Sequence, residues 1–481
     1  MRFALVACLV IACKSGDSTR SQSPPSQAKT QVPPTPVKTE DPCRNAKQEG
    51  ALAWIADDYP SAIECARQRK VPLVVDLWAP WCHTCLSMQS TVFQDASFAK
   101  DKNKFVFASL DTDRESNAPA LAKLAISAWP TFYVIDGSDE KVLARWVGAA
   151  TVEEFQNFLE SGALALVGGQ AASEAHMLSA SRALAVKDYA TADTELTAAL
   201  KTGPDAWLRR GEALDALILT KWKKGDVDGC MAVADEYMMT TGLTAVASDF
   251  NVTAMSCADA RAKDEPDKVK ALREKAVTRW KALLADAHAD LSIDDRSDAM
   301  ASLRETLDAL GKKAEAKQIA EQQKKLLDDA AAKAANPRAA MTYNWPRAEV
   351  YAYLGKPLEL VPALDKSAND LPQEYDPRAR LGWIYLKAGK LADAAKWTND
   401  ALGMVYGPRK ARVLGQRADI AAAAGDKAAE KTYREQVVKL WESLPAAQQS
   451  PEALAKAKAA LEATESGATG SATGSAAQKK K

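Results

Sequence analysis

The chain has 481 residues, more than one hydrophobic core accommodates, so two or three domains are expected. Its 63 Lys and Arg residues balance 63 Asp and Glu residues, which leaves no net charge to attract nucleic acid or acidic substrates. The chain has only three histidines, too few to favour a histidine metal site, and no run of the ~20 apolar residues that a membrane-spanning helix needs.

The N-terminus resembles a bacterial lipoprotein signal. Arg2 precedes an apolar run at 3–11, and Val10-Ile11-Ala12-Cys13 has the form of a lipobox. The resemblance implies that residues 1–12 are removed and that Cys13 is lipidated, so that a lipid anchor holds the protein in the cell envelope, facing the periplasm. An ordinary cleaved signal and a short hydrophobic start are the alternatives. A secretory signal of either kind favours an oxidising compartment.

Two segments have the composition of disordered chain. Residues 13–41 are rich in Ser, Pro, Gln and Thr, with few large apolar residues to bury, and predict an extended tether. Residues 463–481 are mostly Gly, Ala, Ser and Thr and end in three lysines, which predicts a solvated tail.

Between them, residues 42–165 alternate helical and strand patterns. Helices are predicted at 54–69, 82–94, 118–124 and 152–160, and strands at 72–78, 105–110, 131–135 and 142–146. Strand-to-helix alternation that ends in two successive strands indicates an α/β sandwich.

A cysteine pair, Cys82 and Cys85, closes the apolar run 71–80 and opens a predicted helix. A CxxC pair in this position is typical of a redox dithiol. The thiolate is the reactive form of cysteine, and a helix N-terminus stabilises it by ~0.3–1 kcal/mol, less than one pKa unit. Cys82 is therefore predicted to be the attacking thiolate and Cys85 the resolving thiol.

His83 lies between the two cysteines. Starting from a cysteine pKa of ~8.5, the helix terminus alone leaves Cys82 mostly protonated at neutral pH. We hypothesise that a cationic His83 stabilises the thiolate further and makes the pair more oxidising than a Gly-Pro spacer would. The alternative is that His83 points into solvent.

The residues around this pair resemble the thioredoxin family over about residues 50–165. Asp76 stands six residues before Cys82, where family members carry a buried carboxylate, and Trp129-Pro130-Thr131-Phe132 stands at the family's cis-proline. The stretch 81–93 leans toward the subgroup fused to periplasmic disulfide reductases. Ser109 departs from the family, since many members carry a lysine there that interacts with the buried carboxylate.

The resemblance implies roles for the residues near the dithiol. A buried Asp76, its pKa raised by desolvation, would accept the proton of Cys85. Pro130 would lie in cis against the dithiol, and Trp129 would present its backbone to the substrate chain. Trp81 and Trp129 would modulate access to the sulfurs. The alternatives are a solvent-facing Asp76 and a trans proline with Trp129 in the core.

Four further cysteines remain, because Cys8 would leave with the signal. They allow three pairings, of which sequence locality favours Cys43–Cys65 and Cys230–Cys257. Four inert buried thiols are the alternative. Cys43 and Cys65 could also complete a four-sulfur zinc site, but the strand-to-helix position of Cys82 argues against a metal.

From 172 to 462 the pattern changes to alanine-rich helices. The segments 188–204 and 381–408 resemble tetratricopeptide repeats, and Gly355, Gly389 and Gly425 follow helical patterns at spacings close to that repeat. The period is broken at 251–290 and 334–345. Stacked repeats predict a curved helical array with a concave surface for an unidentified protein partner.

The sequence thus predicts an α/β thioredoxin-like sandwich followed by an all-α tetratricopeptide-like repeat domain. The predicted activity is thiol–disulfide exchange with protein thiols and disulfides, in the reductase or isomerase direction, with no cofactor because electrons pass from sulfur to sulfur. One alternative is a non-catalytic scaffold with partner-binding repeats. Another is a maturation factor, for example in cytochrome assembly, whose repeats recognise the client.

Overall fold

The structure, a computed structural model, describes residues 41–168 and 170–466. The predicted signal, the lipidation site at Cys13, the tether up to residue 40 and the tail from residue 467 lie outside the described residues. Within the described ranges, no helix combines the length and the apolar character that crossing a bilayer requires.

Six strands form one mixed sheet in the order β1-β2-β4-β3-β5-β6. The strand β3 lies inside the sheet, parallel to β4 and antiparallel to β5. Asp76 is its one charged residue, and the rest of the strand is apolar, as suits a strand covered on both faces. The strands are β1 Lys47–Glu49, β2 Leu52–Ala56, β3 Leu73–Trp78, β4 Val106–Asp111, β5 Thr131–Ile135 and β6 Val142–Val147.

Four helices cover the two faces of this sheet: α1 Tyr59–Arg69, α2 His83–Ser90, α3 Ala118–Leu121 and α4 Val152–Val167. Because side chains alternate along a strand, neighbouring residues of one strand enter different cores. Phe132 joins a phenylalanine-rich core with Phe155 of α4, whereas Tyr133 joins the core beneath α1. The predicted α/β sandwich is confirmed.

The predicted helix at 54–69 is wrong over its first residues. Residues 52–56 form β2, which pairs with β4 through Trp54 and Phe107, and the helix begins only at Tyr59. The start is fixed by Asp58, whose carboxylate accepts the backbone N–H of Ser61 at 3.1 Å, and by Pro60 in the first turn. The short β1 was not predicted, and α2 ends at Ser90, four residues before its predicted end.

The remainder of the described chain is helical and confirms the predicted all-α repeat domain. Successive helices pack against each other, and Gly355, Gly389 and Gly425 end helices with positive φ angles of 73°, 71° and 72°. The helices are α5 Ala172–Ala185, α6 Tyr189–Thr202, α7 Arg210–Lys224, α8 Val227–Tyr237, α9 Ala245–Arg261, α10 Pro266–Ala285, α11 Ile293–Ala309, α12 Lys313–Lys333, α13 Pro337–Met341, α14 Asn344–Tyr353, α15 Val361–Asp370, α16 Asp376–Lys387, α17 Leu391–Leu402, α18 Gly407–Ala423, α19 Lys427–Ser443 and α20 Pro451–Glu465.

The helical array packs directly on the sheet domain, and the two share one compact unit. The α5 helix lies against β6, where Arg182 Nε donates to the carbonyl oxygen of Val142 at 3.0 Å. At the start of α4, the hydroxyl of Thr244 donates to Glu154 Oε1 at 2.8 Å. The described domains are therefore joined by an interface that combines such polar contacts with apolar ones, since Ala185 and Val246 of the array join the two cores of the sheet domain. The sequence patterns did not predict this interface.

Gly407, the first residue of α18, lies against the loop that follows β4. Its φ is +56°, and a Cβ added there would collide with the backbone carbonyl of Asp113. Both the left-handed backbone and the close approach therefore require glycine at this position.

We expect Gly407→Ala to lower the free energy of unfolding by more than ~1 kcal/mol, because alanine is strained at positive φ and its Cβ collides with the backbone carbonyl of Asp113. Gly415→Ala is the matched control, since that glycine lies inside the same helix with open space around it. The control should gain up to ~1 kcal/mol from helix propensity. Denaturant unfolding measures both, and equal effects of the two substitutions would contradict the packing described.

Candidate active site

The dithiol lies where β3 leads into α2. Cys82 is the N-cap of α2, and its Sγ accepts the backbone N–H of Cys85 at 3.0 Å. The two cysteines form a disulfide and are buried, with exposed fractions of 5% and 1%. Because unpaired N–H groups of the first helical turn point at the Cys82 sulfur, this geometry favours its thiolate after reduction.

Asp76 is buried in β3, two residues before its end, with an exposed fraction of 2%. Its Oδ1 has no hydrogen-bond partner within the described part of the chain. Burial raises the pKa of Asp76 well above its usual value, and the Glu49 carboxylate adds to that effect. Ser109, which replaces the lysine of many thioredoxins, lies opposite Asp76 on β4. The site therefore contains a carboxyl group that stays protonated at pH values where an exposed Asp is ionised.

Two tryptophans pack against the dithiol, and one of them precedes a cis proline. The peptide bond between Trp129 and Pro130 is cis, and Thr131 begins β5 directly after it. The Trp129 ring meets the Trp81 ring edge to face, with centroids 4.9 Å apart. The indole N–H of Trp129 donates to Thr112 Oγ1 at 2.9 Å, which fixes the ring. The two indoles thus form an aromatic wall against Cys82 and Cys85.

His83 points into the helical array and not into solvent. Its Nδ1 lies 2.9 Å and 3.0 Å from the two carboxylate oxygens of Asp294, whose side chain is fully buried at the start of α11. Its Nε2 lies 3.8 Å from Asp298 Oδ1. A buried carboxylate is stabilised by a cationic partner, and the imidazole of His83 occupies that position beside Asp294.

The charge of His83 is therefore opposed by its own neighbours. Asp294 and Asp298 carry two negative charges within the same cluster, which weakens any field that His83 exerts on the Cys82 thiolate. Burial raises the pKa of Glu349 to about 7, with the Glu305 and Asp298 carboxylates adding to the rise and Arg304 and His83 opposing it. The hypothesis that His83 makes the pair more oxidising stays a prediction, and the alternative in which His83 points into solvent is wrong.

Among the described residues, His83, Asp294 and Asp298 also bring three potential ligand atoms within 4.8 Å of one another. The two ring nitrogens face different carboxylates, so salt bridges account for this geometry.

The C-terminal part of the array forms hydrogen bonds and ion pairs with the loop that follows β4. The guanidinium of Arg409 donates to Asp111 Oδ2 and, at 2.9 Å, to Asp113 Oδ2, and all three side chains are buried. The Tyr406 hydroxyl donates to Asp111 Oδ2 at 2.7 Å. Gln448 Nε2 donates to the carbonyl oxygens of Thr112 and Arg114, at 2.9 Å each.

The same loop is tied to the dithiol through Trp81. The indole N–H of Trp81 donates to Asp113 Oδ2 at 2.9 Å. On the face of that indole lies the guanidinium of Arg412, 3.7 Å from the ring centroid. Residues of the array therefore contact both neighbours of Cys82, since Asp294 pairs with His83 on the other side.

The remaining cysteines form two disulfides away from the dithiol. Cys43 is joined to Cys65, with Cα atoms 5.2 Å apart, and Cys230 to Cys257, with Cα atoms 6.2 Å apart. The first links the segment before β1 to α1, and the second links α8 to α9. Cys43 and Cys65 bind each other, so they are not ligands in a four-sulfur site with the dithiol.

Sequence reasoning did not find the array residues that surround the dithiol, namely Asp294, Asp298, Tyr406, Arg409 and Arg412. They lie more than 200 residues from Cys82 along the chain. The only local signal was the Ser292-to-Asp295 capping box, which marks the start of a helix but not what that helix contacts.

Comparisons with known proteins agree with this geometry. The thioredoxin family model matches residues 56–161. The chain is 29% identical over 131 residues to the chloroplastic thioredoxin-like protein CITRX of Oryza sativa subsp. indica, covering 24% of this chain and 67% of the relative. It is 32% identical over 94 residues to the chloroplastic M-type thioredoxin of Chlamydomonas reinhardtii, covering 19% of this chain and 64% of the relative.

A third relative is thioredoxin C-3 of Corynebacterium nephridii, 34% identical over 90 residues, with 19% of this chain and 57% of the relative covered. A solved tetratricopeptide repeat protein from Parabacteroides merdae aligns with 61% of this chain and 99% of its own, at 15% identity and a TM-score of 0.41. The thioredoxin likeness thus covers the sheet domain and its dithiol.

We expect Asp76→Asn to raise the free energy of unfolding by an amount that grows with pH. Above pH ~3.9 the unfolded chain releases the Asp76 proton, whereas the folded protein retains it. The free energy of unfolding of the wild type therefore falls by up to ~1.36 kcal/mol per pH unit, until the pH exceeds the raised pKa of Asp76 in the folded protein. Denaturant unfolding of the oxidised proteins from pH 4 to 8 measures the difference.

Asp95→Asn is the matched control, because Ser97 hydrogen bonds lower the pKa of that exposed carboxyl. It should show no gain that increases with pH. A gain for Asp76→Asn that is independent of pH would contradict the protonated state of Asp76.

Proposed function

We propose that the protein is a thiol–disulfide oxidoreductase that exchanges its Cys82–Cys85 pair with cysteines of protein clients in the cell envelope. The observation that carries the proposal is the Cys82 sulfur at the N-cap of α2, in a domain that also holds a buried Asp76 and a cis Pro130. A purely structural disulfide requires none of these three features.

In the reducing direction, the Cys82 thiolate attacks one sulfur of a client disulfide. A mixed disulfide forms, and the other client sulfur leaves as a thiolate and takes up a proton. Asp76 gives its own proton to that departing thiolate, and the carboxylate so formed accepts the proton of Cys85, whose sulfur then attacks Cys82 Sγ and releases the second client thiolate. Two electrons pass from the enzyme dithiol to the client, and an external dithiol must then reduce the enzyme.

Reduction or isomerisation is the proposed direction. The carboxylates around His83 oppose its positive charge, which reduces the stabilisation that His83 gives the Cys82 thiolate and so favours a less oxidising dithiol. The lipoprotein-like N-terminus supports an envelope location, and two disulfides outside the dithiol suit an oxidising compartment.

A second candidate is a scaffold in which the sheet domain is structural and the helical array binds a partner. It is favoured by the low exposure of Cys82, 5%, which limits access to the sulfur. The two candidates differ in whether Cys82 forms a mixed disulfide.

We expect the reduced Cys85→Ser variant to retain a disulfide-containing peptide on Cys82, because no resolving thiol releases it, whereas Cys82→Ser retains none and loses turnover. Intact-mass spectrometry after quenching with acid detects the adduct. The double variant Cys230→Ser/Cys257→Ser is the control and should turn over like the wild type. The proposal is wrong if the wild type exchanges no faster than free glutathione at the same thiol concentration.

A further inference from the structure

The helical array covers the dithiol from the side of α2. Asp294 binds the residue that follows Cys82, and the hydroxyls of Ser87 and Ser292 lie 3.5 Å apart one turn further along. The short helix α13 also packs against α2. The exposed surface that α2 would have in an isolated sheet domain is therefore occupied by the array.

The array covers the dithiol from the opposite side as well. Trp81, the residue before Cys82, packs on an apolar cluster of the array and lies beneath the Arg412 guanidinium. That cluster consists of Tyr375, Ala379, Ala401, Val405 and Val413. Helices from two separate parts of the array, α11–α13 and α16–α18, thus contact the residues on either side of Cys82 in the chain.

Buried ion pairs hold this cover in place. Arg409 has an exposed fraction of 4% and lies between Asp111 and Asp113, which are exposed by 2% and 1%. Moving the array off the loop would separate Arg409 from both carboxylates and require these charged groups to be rehydrated. The arrangement in which the array covers the dithiol is consequently more stable than one in which the array has moved away. A client therefore has to reach Cys82 while the array helices stay in place.

We propose that the array restricts the dithiol to disulfides carried on narrow, extended chain segments and excludes those fixed on the surface of a folded domain. The inference rests on the proposed function, because it concerns which disulfides reach the same Cys82. An extended segment needs only a narrow approach to Cys82, whereas a folded surface meets the helices before its sulfur meets Cys82.

The experiment compares the rates at which Cys82 attacks the same glutathione mixed disulfide on two carrier molecules, one unstructured and one folded. Glutathione is attached to the single cysteine of an unstructured peptide and to a surface cysteine of a stable folded domain, and oxidised glutathione is the small reference. The rate of attack by the reduced full chain is followed by stopped-flow tryptophan fluorescence. We expect the peptide to react within a few-fold of oxidised glutathione, and the folded carrier at least about tenfold more slowly, a barrier difference of ~1.4 kcal/mol.

Two variants test whether the array is the cause. Arg409→Ala removes the cation from the buried pair, and Asp294→Ala removes the contact at His83. Each should raise the ratio of the folded-carrier rate to the peptide rate by at least about tenfold, which corresponds to ~1.4 kcal/mol or more of lost docking free energy. If Arg409→Ala does not fold, the rate ratio of Asp294→Ala decides whether the array is the cause. The thermal unfolding transition of Asp294→Ala is measured first, to verify that this variant is folded.

Arg182→Ala is the matched control. It removes a contact between the array and Val142, which lies at the end of β6 away from the cis proline, so it should leave the ratio unchanged. The proposal is overturned if the wild type reacts at equal rates with the two carriers. It is also overturned if neither Arg409→Ala nor Asp294→Ala changes the ratio of the folded-carrier rate to the peptide rate. Failure to react even with oxidised glutathione instead refutes the proposed function.

Discussion

The ion pairs of Arg409 with Asp111 and Asp113 fix the relation between the two domains. Burial works against the charge of Arg409, but the carboxylates outweigh it and hold its pKa above the usual value. Removing one partner of such a buried pair typically costs ~3–5 kcal/mol. Since Asp113 also accepts the indole N–H of Trp81, this contact connects the C-terminal helices directly to the residue before Cys82.

The dithiol has two different electrostatic environments nearby, one at Asp76 and one at His83. Beneath it, Asp76 is kept protonated by burial and can exchange a proton during resolution. Beside it, His83 is held by Asp294, so its charge is largely balanced within the array. The helix N-terminus, through the Cys85 N–H on the Cys82 sulfur, contributes ~0.3–1 kcal/mol to the stability of the Cys82 thiolate. A modestly stabilised thiolate suits a reductant or an isomerase better than a strong oxidant.

The parts of the fold that depend on local pattern were predictable. The apolar run through β3 and the CxxC after it located the dithiol, and glycine spacing indicated the repeats. Trp54–Ala56 was assigned to a helix because its apolar residues continue into α1, whereas pairing with β4 makes it a strand. Contacts such as Asp294 with His83 join residues 211 positions apart, and no local pattern encodes which surfaces meet.

The most direct test of the central claim is the reduction potential of each disulfide in the full chain. Equilibration in dithiothreitol redox buffers, followed by alkylation and mass spectrometry, reports the three pairs separately. The account predicts that Cys82–Cys85 is reduced between about −270 and −180 mV while the other two pairs stay oxidised to below about −300 mV. A Cys82–Cys85 pair that resists reduction as strongly as Cys43–Cys65 and Cys230–Cys257 would contradict it.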